Sequence, residues 1–295
     1  MSSILELLSR FRMTHRRCAI MNTALALFIL VSGITLPLKI GPITIDAYNE
    51  IEALQPGDRV AWAQNCAFGT YIDKRDAYRA MVYHAIIEKD AKLILFSFDP
   101  DAPQLNAALM VYCEPALTAA GKEYGVDWII MPFLAGEESA LAAAAKNMRV
   151  CGNDLIEGRP LNEFPIMEGI YTMDDIPLTW NDAGSFTFVE MWIRQWPSAY
   201  GNRAIGTMVF ATVAPVYGIY VHGYLDGNRG YAEYEKLTGY AGDHLIKMDM
   251  RNAQGIAIIA IVLMGNITYF ARRRLGLAPI AGVEWAARKA SREAQ

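Results

Sequence analysis

Two short polar segments hold the side chains best suited to binding or catalysis. Asn65 and Cys66 come directly after the predicted strand 59–64, and Asp99 and Asp101 follow the predicted strand 92–97. Ligands of doubly wound sheets bind beyond the carboxyl ends of the strands, so these four are the candidate ligand-binding residues. A cysteine there could be a nucleophile with a histidine base, and His222 is the partner we consider. A packed cysteine and an interfacial histidine are the simpler interpretation.

The carboxylates of the segment 99–101 could hold Mg²⁺ or Ca²⁺, but Asp and Pro also begin turns for conformational reasons. Turn formation is the preferred interpretation. No G-x-G-x-x-G follows the first strand, and no G-x-x-x-x-G-K-[ST] occurs, so the usual phosphate cradles are missing from the sequence. We therefore predict no catalytic residues, no metal site and no cofactor, and the sequence favours a protein that is not an enzyme.

The elements that must position these residues alternate between strand and helix. Near-continuous apolar runs predict strands at 59–64, 92–97 and 126–132, and apolar periodicity predicts helices at 44–54, 73–89, 104–124 and 137–148. Successive strand–helix units with apolar strands predict a mainly parallel sheet covered on both faces, an α/β, Rossmann-like fold. Further along, the pattern predicts strands at 185–192 and 205–213 and a turn at 226–230. Pro115 predicts a kink or break in its helix.

Two apolar runs predict membrane anchors. Residues 18–38 carry no charge over about 21 positions, the length that crosses ~30 Å of hydrocarbon, and residues 255–270 form a second run. The first could instead be a cleaved signal peptide, but it continues past its small residues, which favours an uncleaved anchor. The uncharged run 205–221 contains β-branched residues and a central proline, so we interpret it as a strand and loop rather than a third span.

Basic residues flank both runs on the outside. Arg16 and Arg17 precede the first, and Arg272, Arg273 and Arg274 follow the second; such clusters stop a span on its cytoplasmic side. The predicted organisation is a cytoplasmic lead (1–17), a first span (18–38), an extracytoplasmic domain (39–252), a second span (253–271) and a cytoplasmic tail (272–295). This predicts a two-pass protein of the cell membrane, with both termini in the cytoplasm.

The charge is strongly segregated along the chain. Residues 40–270 contain 16 basic and 28 acidic residues, whereas the two ends are basic. Phosphate binding needs clustered Lys and Arg, so the acidic middle excludes nucleic acid as a predicted partner. The lipid bilayer is the first predicted partner.

Aromatic residues gather late in the predicted domain and indicate an interface. The candidate interface residues are Trp192, Trp196, Tyr231 and Tyr234, with Asn266 in the second span as a helix–helix contact. Ordinary core packing and a ligand cleft are the alternatives. Cys113 and Cys151 could form a disulfide in an extracytoplasmic domain, although buried free thiols are preferred.

Several stretches together resemble a group of uncharacterised prokaryotic membrane proteins. They are LQPGDRV at 54–60, RQWPSAYG at 194–201, GNRGYAEYEKL at 227–237 and MGNITYF at 264–270. The resemblance implies a Rossmann-like domain between N- and C-terminal transmembrane helices, and it implies no activity.

The function expected from these features is that of a scaffold or interaction subunit in a homo-oligomer or a larger membrane assembly. The alternative is an extracytoplasmic ligand-binding or hydrolytic domain that uses the cleft at the strand ends near Asn65, Cys66, Asp99 and Asp101. A transporter is disfavoured because the spans contain no ionisable residue.

Overall fold

The computed structural model describes residues 15–33, 36–208 and 218–277. These form two compact units, one from the described parts of 1–36 and 246–295 and the other from those of 37–245. In chain order the elements are α1 His15–Ser32, α2 Pro42–Glu52, β1 Arg59–Asn65, α3 Phe68–Tyr71, α4 Arg75–Val82, a π-helical segment Tyr83–Glu88, β2 Lys92–Ser97, α5 Ala102–Ala119, β3 Trp128–Phe133, α6 Glu138–Lys146, β4 Leu178–Ala183, α7 Phe186–Gln195, α8 Pro197–Tyr200, β5 Arg203–Met208, β6 Gly223–Asp226, α9 Gly227–Thr238 and α10 His244–Arg274.

The larger unit is built on a parallel sheet of six strands within the described residues. The strand order is β3-β2-β1-β4-β5-β6, and every neighbouring pair is parallel. This is the order of doubly wound sheets, in which the chain reverses its winding between β1 and β4. The α/β fold with a mainly parallel sheet, predicted from the sequence, is confirmed.

Alternate residues of each strand pack into two separate cores. In β1, Ala61 and Ala63 face a core completed by α6, α7 and the segment 150–177. Val60 and Trp62 face the opposite core, which α2, α4, α5 and α9 cover. There the Trp62 and Trp180 rings stack across β1 and β4 with centroids 3.9 Å apart. Burial on both faces explains why these strands read as apolar runs.

The predicted strand at 185–192 is wrong, because this segment is helix α7. Its buried residues recur at helical spacing, at Phe188, Val189 and Trp192, and the Ser185 hydroxyl caps the helix by accepting from the Phe188 amide at 3.3 Å. The strand is instead the preceding segment, β4. Its buried polar residues hid it from a search for apolar runs.

The predicted turn at 226–230 is also wrong: β6 ends at Asp226 and α9 begins at Gly227. Gly230, one of the glycines that suggested the turn, has a packing role, and so does Gly223 in β6. A Cβ at Gly223 would lie 2.1 Å from the Ala47 amide nitrogen, and one at Gly230 would lie 2.7 Å from the Leu225 carbonyl carbon. These positions let α2 and α9 pack tightly against β6, which the sequence did not predict as a strand.

One helix in the described part of the chain, α10, is long and apolar enough to cross a membrane. Only 11% of its apolar window is buried, unlike the core helix of a soluble protein, so membrane association is favoured. The other predicted span, 18–38, is represented by α1, and its crossing of a membrane stays a prediction.

Two smaller sequence-based expectations concern α5 and the cysteines. α5 continues through Pro115 from Ala102 to Ala119, so of the expected kink or break, the break does not occur. Cys113 on this helix is buried, Cys151 is half-buried, and both are free thiols, as are Cys18 and Cys66.

Candidate functional site

The carboxyl edge of the sheet holds the residues predicted to bind ligands. Asn65 ends β1, and its Nδ2 donates to the Phe98 carbonyl at 3.3 Å. The Asp101 carboxylate accepts from the Phe68 amide at 3.3 Å, and Asp99 Oδ1 accepts from the Asp101 amide at 2.9 Å. The structure therefore brings Asn65, Asp99 and Asp101 to one edge, where the two carboxylates hold backbone turns in place.

A buried ion pair occupies the point between β1 and β4 where the winding of the sheet reverses. Lys74, the residue before α4, donates from Nζ to Asp182 Oδ1 of β4 at 2.7 Å, and both side chains are fully buried. The crevice outside this point is where doubly wound sheets hold ligands. Sequence reasoning missed both residues, because Lys74 looked like a solvated helix end and Asp182 lay in an unrecognised strand.

The ion pair belongs to a row of polar side chains that crosses four strands. Gln64 of β1 is in register with Ser97 of β2 on one side and Asp182 of β4 on the other, and Asp182 is in register with Thr207 of β5. All four side chains are fully buried. Thr207 Oγ1 donates to the Asn181 carbonyl at 3.1 Å, whereas Gln64 Nε2 and Oε1 have no hydrogen-bond partner among the described residues.

Cys66 lies beside this ion pair but is not set up as a nucleophile. Its Sγ is 3.6 Å from Lys74 Nζ and 3.3 Å from Thr70 Oγ1. Burial, and then the negative charge of Asp182, raise the pKa of the Cys66 thiol to about 12. Because the thiolate is the reactive form, this environment keeps the sulfur protonated and inert at neutral pH.

His222, considered as a base for Cys66, lies at the other end of the sheet. Its Nδ1 accepts from the Ala204 amide at 3.1 Å, and Ala204 is the second residue of β5. Cys66 follows the last residue of β1, and the strands are parallel. The structure does not bring the two together.

Apolar side chains surround the same carboxyl edge. Phe68 and Ile72, which follow β1, are 63% and 62% exposed, and Phe186 at the start of α7 is 44% exposed. The Gly184 amide, two residues before Phe186, donates to the Asn65 carbonyl at 3.1 Å, so the two loops adjoin. Exposed apolar residues on neighbouring loops are typical of a contact surface.

The four aromatic residues predicted as an interface are core residues of the domain. Trp192, Trp196, Tyr231 and Tyr234 are at most 1% exposed. Trp196 Nε1 donates to the Leu141 carbonyl at 3.0 Å and the Tyr234 hydroxyl pairs with His84 Nδ1 at 2.7 Å, whereas Trp192 Nε1 is buried without a hydrogen-bond partner among the described residues. The prediction is therefore corrected: these rings gather on the chain because they fill the two cores.

The remaining predicted residues lie on the two terminal helices. Asn266 is exposed on α10, and Arg272, Arg273 and Arg274 form its last turn. Arg16 and Arg17 are in the first turn of α1. The basic clusters thus lie at the N-terminal end of α1 and at the C-terminal end of α10.

An open cleft of about 780 Å³ lies elsewhere in the domain, between the end of α6 and the segment 162–172. Arg149 in its wall donates to the carbonyls of Met167 and Ile170, and its guanidinium lies 4.6 Å from the centre of the Tyr171 ring. The arginine therefore holds the loop that forms the cleft.

No protein-family model matches this chain, and no curated protein matches it either.

Proposed function

We propose that the chain is a membrane-anchored interaction subunit, in which the α/β domain contacts a partner through the apolar carboxyl edge of its sheet. The observation that carries the proposal concerns the switch point, which is the point between β1 and β4 where the winding of the sheet reverses. Buried side chains close it. Where a ligand-binding doubly wound domain has an accessible crevice, this one has the buried Lys74–Asp182 pair, with exposed Phe68 and Phe186 outside it.

Membrane anchoring is supported by the surface of α10. Its exposed apolar residues include Ile256, Ile259, Val262 and Leu263, which would be costly to leave in water along a whole helix. The arginines at its end favour a cytoplasmic position for that end. We propose a second span at 18–38, so that the acidic domain 39–252 is extracytoplasmic and both termini are cytoplasmic.

A non-enzymatic role is supported by the state of the reactive groups near the switch point. The raised pKa of Cys66 keeps its thiol protonated, and Lys74 Nζ is engaged by Asp182 Oδ1 at 2.7 Å. The Cys66 thiol therefore lacks the lowered pKa that activates a nucleophile.

The partner that fits this edge is a membrane-protein subunit, either a second copy of this chain or another anchored protein. Partners confined to the same membrane meet at high effective concentration, so a small apolar contact suffices.

Site-specific photo-crosslinking in native membranes tests the proposal. A benzophenone amino acid replaces Phe68 or Phe186 in the full-length protein, and the same residue at Tyr171, which is 64% exposed, is the matched control. We expect a discrete crosslinked product from positions 68 and 186, identified by mass spectrometry, and none from 171.

Two results would contradict it. Equal crosslinking from all three positions would mean non-specific collisions. Crosslinking from 68 and 186 only within the same chain would mean that the chain itself covers the edge.

Ligand binding at the strand ends is the second candidate, and the Gln64 side chain favours it. This amide is fully buried in the polar row, and both its polar atoms lack partners among the described residues. A polar ligand entering near Asn65 and Asp101 would meet it. Thermal-shift measurements with sugars, nucleotides and Mg²⁺ test this candidate, which predicts stabilisation in the wild type that a Gln64→Leu variant loses.

A further inference from the structure

Three metal-ligating side chains meet at the junction of α9 and α10, beside the residues on either side of Lys74. Glu235 lies in the last turn of α9, and Asp243 and His244 end the following loop and begin α10. One ligand atom from each lies within 4.8 Å of the others. We infer that this cluster binds a divalent transition-metal ion, and that Zn²⁺ is the ion its chemistry suits best.

The orientation of the His244 ring is the first observation behind the inference. Its Nε2 donates to the Asp73 carbonyl at 2.5 Å, and its Nδ1 contacts Glu235 Oε1. Metal-bound histidines commonly donate one ring N–H to a carbonyl or carboxylate, which leaves the other nitrogen for the metal. His244 has this arrangement, with Nδ1 aimed at the two carboxylates.

The Glu235 carboxylate is the second, independent observation. Its side chain is fully buried, and Oε2 has no hydrogen-bond partner among the described residues. A buried carboxylate oxygen without a partner is costly. Protonation of His244 alone would satisfy Oε1 and leave Oε2 without a partner, whereas a cation bound by Oε2 would satisfy that oxygen, and a small rotation of the carboxylate would admit Nδ1 as a further ligand.

The surrounding residues hold the ligands in a fixed arrangement. A Cβ at Gly242 would lie 2.2 Å from Glu235 Oε1, so only glycine lets the loop pass this closely. The Tyr231 ring packs edge-on against His244 with centroids 5.1 Å apart. The Asp243 amide donates to Asp76 Oδ2 at 3.3 Å, which fixes the backbone of the third ligand.

The ligand set and its charge suit Zn²⁺. One imidazole and two carboxylates are typical zinc ligands, with bonds of about 2.0–2.2 Å. His244 Nδ1 and Asp243 Oδ1 are 3.6 Å apart, near the roughly 3.4 Å between ligands that such bonds give in a tetrahedron. Two carboxylates balance a divalent charge, and the half-exposed Asp243 gives the ion a route from solvent.

Two arginines and one aspartate of α4 lie near this position. Arg75 Nε lies 3.5 Å from Asp76 Oδ1, and Arg79 donates to the Ala241 carbonyl at 2.7 Å. Asp76 thus offsets part of the positive charge on the α4 side.

A second cluster in the described part of the chain provides a control. Glu52, His84 and Glu88 also lie within reach of one ion, but there His84 Nδ1 pairs with the Tyr234 hydroxyl at 2.7 Å and Nε2 with Glu52 Oε1 at 2.9 Å. Lys89 binds the other Glu52 oxygen at 3.1 Å. This network leaves neither Glu52 oxygen without a partner, so we assign it no metal.

Calorimetric titration of the full-length protein tests the inference. The tag-free protein in detergent is stripped with a chelator and titrated with ZnCl₂, and metal content is counted by mass spectrometry. Wild type is expected to bind one equivalent, with a higher Tm. Asp243→Asn, which alters a half-exposed residue and should fold, is expected to bind at least tenfold more weakly; Glu88→Gln should bind like wild type.

Cobalt absorption gives a second readout, because Co²⁺ in a tetrahedral site of this kind has visible bands that report its ligands. Loss of the bands in Glu235→Gln and their retention in Glu88→Gln would support the site. The inference is overturned if stripped wild type takes up no Zn²⁺, if Asp243→Asn binds as tightly as wild type, if Glu88→Gln abolishes binding, or if Ca²⁺ binds and Zn²⁺ does not.

Discussion

Lys74 and Asp182 form a fully buried ion pair, 2.7 Å from Nζ to Oδ1, at the point where the sheet reverses its winding. Lys74 comes from the start of α4 and Asp182 from β4, so the pair links a helix to the centre of the sheet. Tyr78 is fully buried and faces Asp182, and burial raises its pKa well above the ordinary value. The site is therefore a closed, neutral polar core inside an otherwise apolar layer.

Removing one member of this pair should destabilise the domain far more than removing both. Lys74→Met leaves the Asp182 charge buried alone, and we expect a loss of about 3–5 kcal/mol in the free energy of unfolding. Lys74→Met combined with Asp182→Leu should recover most of that loss. Urea unfolding of the full-length protein in detergent, followed by tryptophan fluorescence, measures the difference.

Arg194→Ala is the control for this comparison, since its partner Glu138 is a surface residue, and it should cost no more than about 1 kcal/mol. A double variant as unstable as Lys74→Met would show that the pair is not the source of the effect.

Cys66 should resist alkylation in the folded protein. With its pKa raised to about 12 by burial and by Asp182, only about one thiol in 10⁴ or fewer is ionised near neutral pH. We expect iodoacetamide at pH 7.5 to modify Cys66 in urea and not in the native state, as read by peptide mass spectrometry. Native modification at the rate of a free thiol would revive the nucleophile hypothesis.

The sequence predicted β1, β2, β3 and part of β5 from their apolar runs, and it missed β4 and β6. The strands β1, β2 and β3 are near-continuous apolar segments, so periodicity found them within two residues. β4 contains Asn181 and Asp182 inside the fold, which contradicts the apolar pattern of a buried strand. Local rules often fail where a fold holds a special site, and here the missed strand supplies the ion pair.

The sequence likewise located some residues of the candidate site and missed others. Asn65 and Cys66 were found because any loop after a parallel strand lies at the carboxyl edge. Lys74 could not be found, since nothing local distinguishes a lysine that pairs with a distant Asp182 from one in solvent. The aromatic residues were wrongly predicted as an interface because a ring with a polar tip suits a core as well, where the tip can bond internally, as Tyr234 does with His84.

The contribution of His84 to stability should fall between pH 7 and pH 5. Burial lowers the pKa of His84 below its ordinary 6.5, so below pH 6.5 the unfolded chain binds a proton that the folded ring does not, and unfolding is favoured. The hydrogen bond from His84 holds the pKa of Glu52 at about 2, so that the benefit from this carboxylate persists down to about pH 4.5 and is lost on further acidification. Glu88 and Lys89 also act on the ring, in opposite directions.

Denaturant unfolding at several pH values checks this. His84→Gln should be less stable at pH 7 and should lose less stability than wild type on going to pH 5, while His222→Gln serves as the matched histidine control. An unchanged pH slope in His84→Gln would contradict the assignment.

The proposed topology predicts which parts of the chain are labelled from outside the cell. Glu157 is an exposed residue of the domain, so Glu157→Cys should react with a membrane-impermeant maleimide in intact cells. A cysteine added after Gln295 should react only after permeabilisation, because positive residues near the spans keep the tail inside. Unmodified protein gives the background from native cysteines, and the reverse pattern would invert the topology.

Asn266 should contribute to assembly through the membrane. Its side chain is exposed on α10 among apolar neighbours, with Ile267 beside it 44% exposed, and an amide in hydrocarbon is stabilised when it meets a polar group on another helix. Such contacts contribute about 0.6–2 kcal/mol, so Asn266→Leu should weaken self-association by roughly threefold to thirtyfold without changing the fold of the domain. Ile259→Leu, which keeps an exposed apolar residue on the same helix, is the control. Sedimentation in detergent across a dilution series measures the association. If Asn266→Leu and wild type dissociate at the same concentration, the amide makes no contact between helices. The contact to the partner would then rest on the domain alone.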